Sequence, residues 1–283
     1  MYDLRAPAEE LSEFIEHYWF VTSTSADPVD IRVDVFVDAR ADLVFNFEAP
    51  YRREVIGGAV QTHANSNLDA QRLEPIRILQ RGHVRITGVR FRLGGLAPFV
   101  RVALSRFTGR TVPVEDAFGV EAGELETSLR QVGDLDTQKK LLDAFFLRRL
   151  RFTKSFGRFR CAVDACSRSG GAATVDALSS AAGVSPRQVD RLFARHLGIP
   201  PKTLARVLRF QQALKRLMRD PGCSLAAIAT EAGYFDQAHF VKDFRRMSGG
   251  VPRGYRGYYP PESPNDFAPN VVVFLQDSTE PGR

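Results

Sequence analysis

Two short stretches in the second half of the chain carry side chains suited to reading an anionic surface. "PRQVDRLFARH" holds Arg187, Asp190, Arg191 and Arg195, and "QAHFVKDFRR" holds Gln237, His239, Lys242 and Arg246. Guanidinium, ammonium and imidazole groups donate hydrogen bonds to phosphate oxygens and to the O6 and N7 atoms of guanine. Placing residues 100° apart sorts each stretch into two faces. In the first, Val189, Leu192, Phe193 and Leu197 share one side, and Arg187, Asp190, Arg191 and Arg195 share the other. In the second, Phe240, Phe244 and Met247 oppose His239, Lys242, Arg245 and Arg246, with Gln237 at the first turn. A helix half-buried on its apolar face and cationic on its free face fits the DNA major groove. A basic face on one helix alone is most often only a solvated face.

Two such helices in matched units change that balance, and the matching is explicit. Thr174 and Ser224, Leu178 and Ile228, Ala182 and Ala232, and Gly183 and Gly233 stand fifty residues apart; Phe193 and Phe244, and Pro201 and Pro252, stand fifty-one apart. Each unit reads as a capped short helix, a glycine turn that needs φ > 0, and a second helix, which is a helix-turn-helix twice over. Between the units runs "PKTLARVLRFQQALKRLMRD", bounded by Pro201 and by Pro221-Gly222. About twenty helical residues make a rod of about 30 Å, close to one turn of B-DNA.

Charge is distributed to match. Residues 1–159 carry 22 Lys/Arg against 22 Asp/Glu, residues 160–259 carry 16 against 7, and residues 260–283 carry one against four. A neutral first part joined to a basic second part predicts one domain for a polyanion and another for a different task. Three cysteines without C-x-x-C spacing predict neither a disulfide framework nor a zinc site. The opening twenty residues have acids throughout and no continuous apolar run, so the expectation is a cytoplasmic protein with neither signal peptide nor membrane span.

The first part reads as an amphipathic opening helix followed by strands at "IRVDVFV", "DLVFNFE", "REVIGGA", "IRILQ" and "HVRITGVRFRL", the last with a bulge expected at Gly88. From residue 97 the spacing of Phe99, Val100, Ala103, Leu104 and Phe107 predicts a helix, with further helices at "GELETSLRQV" and "TQKKLLDAFFLRRLRF". In the last, Leu141, Leu142, Phe145, Phe146 and Leu150 predict packing on the β-domain or against a second copy of the chain. "PPESPNDFAPN" breaks regularity, and "VVVFLQ" predicts one late strand or a loose tail.

With these residues in view, the chain resembles the AraC/XylS family of bacterial transcription regulators. The resemblance covers about 170–258 and is carried by "IATEAGYFDQAHFVKDFRRMSGGVPRGYR", including Gly233, Asp236-Gln237, His239-Phe240, Phe244, Gly249, Pro252 and Tyr255-Arg256. Tyr234 and Phe235 stand where a phenylalanine and a small polar residue are commoner. The resemblance implies base-facing roles for Arg187, Asp190 and Arg191 in the first reading helix and for Gln237, His239 and Lys242 in the second. It implies double-stranded DNA as partner, and RNA polymerase as a further partner if the protein activates transcription.

The first part resembles more weakly the cupin-like sensor domains that precede such DNA-binding domains. It implies an α+β architecture: a cupin-like β-barrel or sandwich with a helical pair over 1–159 for effector binding and homodimerisation, an all-α double helix-turn-helix domain over 160–259, and a tail over 260–283. Arg90 and Arg92 on one strand face, with Phe45 and Phe47, are the candidate effector contacts, although solvated arginines and core packing are the commoner states of such residues. His17, His63 and His83 lack the His-x-His spacing of metal-dependent cupins, so no catalytic metal or cofactor is expected. The expected function is DNA-binding regulation controlled by a small molecule. Its alternatives are a first domain that only dimerises or binds a protein, or a cupin-type enzyme fused to a DNA-binding domain.

Overall fold

The computed structural model describes residues 2–23, 29–58, 60–63, 66–256 and 271–274. The first part is two facing sheets made from β1 (Tyr2–Arg5), β2 (Ile15–Thr22), β3 (Val29–Val35), β4 (Asp42–Asn46), β5 (Tyr51–Val55), β6 (Val60–His63), β7 (Asn67–Asp69), β8 (Ile76–Gly82), β9 (Arg85–Phe91) and β10 (Thr111–Pro113). One sheet has the order β1-β2-β9-β4-β7-β10 and the other β3-β8-β5-β6, with β11 (Val271–Phe274) pairing antiparallel to β3 at its free edge. The late strand expected near "VVVFLQ" therefore returns to a sheet edge. The irregular stretch expected over 260–270 lies outside the described residues.

Three local expectations are corrected. The opening is strand β1, a 3-10 turn at Glu9–Leu11 and strand β2, not a helix. Leu11, Phe14, Ile15 and Tyr18 have helical spacing, but the aromatic run that follows needs two apolar faces: Tyr18 and Phe20 are buried on one side while Trp19 and Val21 are half-buried on the other. Gly88 sits in unbroken register opposite Trp19; the register shift lies across the ladder on β2, between Ile15 and His17. Residues 97–107 form two 3-10 turns, Ala97–Phe99 and Leu104–Arg106, instead of one helix, the backbone being extended at Val100 and Ala103 between them.

Helices follow: α1 (Val114–Phe118), α2 (Val120–Gln131), α3 (Leu135–Arg149), α4 (Lys154–Arg168), α5 (Val175–Ala182), α6 (Pro186–His196), α7 (Pro201–Arg219), α8 (Leu225–Glu231) and α9 (Gln237–Ser248). Of the two uses left open for α3, packing on the β-domain is realised. Phe146 meets Phe91 at 5.6 Å and Phe99 at 5.0 Å between ring centroids, both edge-on. Tyr18 donates its hydroxyl to Asp143 at 2.8 Å, and Thr87 donates to Gln138 at 2.5 Å. Among the described residues no helix is long and apolar enough to cross a membrane.

The two faces of the first sheet are buried to different depths. Toward α3, Tyr18, Phe20, Leu43, Phe45, Val89 and Phe91 are at most 2% exposed. Toward the second sheet, Trp19, Val44 and Ile86 are only half-buried, as are Val33 and Ile78 facing them. The side of this sheet under α3 is therefore the more deeply buried of its two faces.

Candidate nucleic-acid interface

Each helix-turn-helix unit is assembled by the same local devices. The hydroxyls of Thr174 and Ser224 cap α5 and α8 by accepting from the backbone N–H of Ala177 at 3.2 Å and of Ala227 at 3.1 Å. Gly183 at φ +60° and Gly233 at φ +73° then turn the chain through the left-handed region. Ser185 and Asp236 start the second helices: the Gln188 side chain accepts from the Ser185 N–H at 3.1 Å, and Asp236 accepts from the His239 N–H at 2.7 Å. The fifty-residue repeat is thus a repeat of caps and turns as well as of apolar positions.

Both second helices bury the faces assigned from sequence. Val189, Phe193 and Leu197 of the first unit and Phe240 and Phe244 of the second are fully buried. Arg187, Asp190, Arg191 and Arg195 on α6, and Gln237, His239, Lys242, Arg245 and Arg246 on α9, are exposed. Among the described residues, none of these arginines nor Lys242 is held in an ion pair. His239 is the least free of the set. Its Nε2 lies 3.8 Å from Asp243, which Arg206 holds at 2.6 Å, and its ring stands edge-on to Tyr234 at 5.3 Å.

The α9 surface carries apolar groups as well as donors. Ala238 and Val241 line a shallow groove on α9 with Gln237, Lys242 and Arg245, which sets small apolar surface between the cations. Such surface is suited to a thymine methyl group. Their position beside Lys242 on the helical wheel was the available signal.

α7 joins the units and, at 19 residues, is about 28 Å long. Phe210 on α7 meets Phe244 on α9 at 5.3 Å, which fixes the second unit to the rod. Among the described residues, the first domain's hydrogen bonds to the reading helices fall at their C-terminal ends. Thr108 donates its hydroxyl to the Gly198 carbonyl at 2.7 Å just past α6, and the Val37 N–H donates to the Met247 carbonyl at 3.2 Å near the end of α9. The N-terminal turns of both helices and their cationic faces remain open to solvent.

The candidate effector residues are not brought together. Arg90 is a correction: it is buried and committed to Asp38 and Asp42. Arg92 lies beyond the end of β9, is exposed, and donates through Nε to the Ser12 carbonyl at 2.7 Å. Phe45 belongs to the core facing α3, and Phe47 is covered by the guanidinium groups of Arg85 and Arg130 at 4.9 and 5.3 Å.

What the inter-sheet space does hold is a buried charge cluster. Arg72 pairs with Asp69 and, at 3.3 Å, with Asp38; Arg53 reaches Asp69 at 3.5 Å. Burial opposes charge on Asp38, but Arg90 and Arg72 outweigh it and hold the carboxyl below its usual range. Burial brings His17 down to about 4, with Glu16 opposing and Arg90 assisting. Among the described residues no group of three or more His, Cys, Asp or Glu is placed to hold a metal ion.

Comparison with known proteins places these parts. Residues 178–258 match a family described as a helix-turn-helix domain, and residues 4–113 match a domain of unknown function, DUF6597. The HTH-type transcriptional regulator GlxA of Rhizobium meliloti is 36% identical over 80 residues, 28% of this chain and 24% of that protein. An uncharacterised HTH-type transcriptional regulator of Haemophilus influenzae is 33% identical over 82 residues, 29% of this chain and 27% of that protein. The chain thus spans about a quarter of the length of these curated relatives. Among solved structures, ToxT from Vibrio cholerae overlays with a TM-score of 0.45 at 8% identity, covering 81% of this chain and 97% of that one. A Chromobacterium violaceum transcriptional regulator with an AraC-type DNA-binding domain overlays at 0.35 with 26% identity, covering 38% of this chain and 97% of that one.

Proposed function

We propose, from the premise that residues 178–258 are an AraC-type helix-turn-helix domain, that the chain is a sequence-specific regulator of transcription whose helices α6 and α9 enter successive major grooves of one duplex. The observation that carries this reading is the pair of exposed cationic faces on two N-capped helices, α6 leading into a rod about 28 Å long and α9 packed against it, with the arginines of both faces and Lys242 free of ion pairs among the described residues. Arg187, Asp190, Arg191 and Arg195 form the first reading set, and Gln237, His239, Lys242 and Arg246 the second. Arg245, Ala238 and Val241 complete the second surface. In this reading the protein acts in the cytoplasm, performs no chemical step of its own, and meets RNA polymerase when it activates. Residues 1–159 act as the sensor and 160–259 as the DNA-binding domain, with 260–283 as a tail.

In this reading the sensor surface is formed by the inner faces of the two sheets, lined by the half-buried Trp19, Val33, Val44, Ile78 and Ile86 beside the buried cluster of Arg53, Asp69, Arg72, Asp38 and Asp42. A small molecule with an apolar body and hydrogen-bonding groups fits that lining. Homodimerisation in this reading uses the outer side of α2 and α3, where Arg101, Arg148 and Arg151 stand with Glu121 and Glu124 around Leu141. Selection of bound sequences from random duplexes with the full chain tests the central reading. A motif in two blocks is expected, and failure to enrich any sequence would overturn it.

A further inference from the structure

The buried charge cluster touches both clamps on the reading helices. Asp38, whose side chain is fully buried, holds Arg90 and Arg72. The preceding residue, Val37, donates its N–H to the Met247 carbonyl, one of the carbonyls that the end of α9 leaves without a helical partner. Phe36 before it is fully buried, edge-on to Phe210 of α7 at 6.4 Å and to Tyr255 at 5.3 Å; Tyr255 in turn meets Phe244 of α9 at 5.5 Å. The residue after Asp38 is Ala39, at φ +57° the sole non-glycine residue with positive φ among the described residues. A left-handed alanine persists where its surroundings over-determine it. Here they include the Asp38 carboxylate accepting from the Arg40 N–H at 3.2 Å.

The other arm starts from Arg72. Its neighbour Gln71 accepts from the Gly109 N–H at 2.9 Å, and Thr108 beside it donates to the Gly198 carbonyl at 2.7 Å. Gly198 closes α6: its N–H bonds back to the Phe193 carbonyl at 2.8 Å, and its φ is +90°. A Cβ there would meet Thr108 Oγ1 at 2.5 Å and the Leu104 carbonyl oxygen at 2.9 Å, so the first domain reaches the end of α6 through a contact that glycine alone allows.

We propose that Asp38 and Thr108 are positioning residues that lock α6 and α9 in fixed phase, so that the inter-sheet charge cluster sets the spacing between the two DNA blocks the protein accepts. Within the second domain the helices are joined through α7, against which α9 is held by Phe210–Phe244 and Arg206–Asp243; the two clamps add a path between them through the first domain. Loss of the Asp38 or Arg72 pairs loosens or re-phases both reading helices. The proposal rests on α6 and α9 being the DNA-reading helices.

The test is spacing tolerance. The full chain, Asp38→Asn and Thr108→Val are titrated against the selected duplex and against copies with one base pair inserted or deleted between the blocks. The wild-type chain is expected to lose about tenfold or more in affinity on either altered spacing, and the two variants about threefold or less, with base preferences inside each block unchanged. A residue that merely supports the fold lowers affinity on all three duplexes alike. Thr108→Val removes one hydroxyl and keeps the shape, so it reads the clamp even if Asp38→Asn does not fold. Variants that keep wild-type spacing discrimination, or that lose affinity equally at every spacing, overturn the clamp. A wild-type chain that selects no two-block site overturns the DNA-reading function instead.

Discussion

The indole of Trp19 fills the space above Gly88, its cross-strand partner: a Cβ on residue 88 would come within 1.9 Å of Trp19 Cε2. Glycine at this point in a central strand is therefore explained by packing, with the aromatic ring covering the gap that the missing side chain leaves. Gly88→Ala is expected to displace the ring and cost about 1–3 kcal/mol. Denaturant unfolding measures the cost. Trp19 is the single tryptophan of the chain, so its emission reports the displacement directly. Wild-type stability and emission in the variant would contradict the packing.

The same fluorophore tests the space between the sheets. Acrylamide is expected to quench Trp19 in the wild-type chain, because the residue is only half-buried. Val44→Phe, across Gly88 on β4 and on the same face, is expected to cover the ring and lower the quenching constant several-fold. Equal quenching in both would mean that the half-buried residues border no accessible space.

At the first reading helix, Arg191→Ala is expected to cost about 1–3 kcal/mol on the selected duplex and to relax preference at one base position. Should Arg191 instead bind phosphate, affinity falls on all sequences and the salt slope drops by about one. Binding isotherms at several salt concentrations separate the two. An unchanged affinity and footprint would remove α6's exposed face from the account.

Stability is expected to depend on pH through His196. Burial, reinforced by Arg195, lowers its imidazole to about 4 from an ordinary 6.5. The unfolded chain therefore takes up the proton first. The stabilisation is full above about pH 6.5 and is lost as pH falls toward about 4. His17, also lowered to about 4, acts in the same direction. Thermal melts of the wild-type chain and of His196→Gln across this window should show a shallower acid slope in the variant.

The second half was legible in the sequence because its signals are local. Caps at Thr174 and Ser224, turns at Gly183 and Gly233, and one apolar face per helix are read from spacing alone, and the reading faces emerge exposed as assigned. The first half depends on long-range pairing, and there the local signals misled. Leu11, Phe14, Ile15 and Tyr18 have helical spacing, yet β2 lies between a helical layer and a second sheet and so needs apolar groups on both sides. Arg90 looked like a free cation because Asp38 and Asp42, which neutralise it, stand more than forty residues away in sequence. Nothing local announces a partner across a sheet.

The central claim, that α6 and α9 engage one face of one duplex together, is tested most directly by inserting five base pairs between the two blocks of the selected site. Five base pairs rotate the second block by about half a turn. The account expects affinity to fall at least about tenfold and to be largely restored by an insertion of about ten base pairs, tempered by the added span. Equal affinity for the original and the five-base-pair duplex would contradict it.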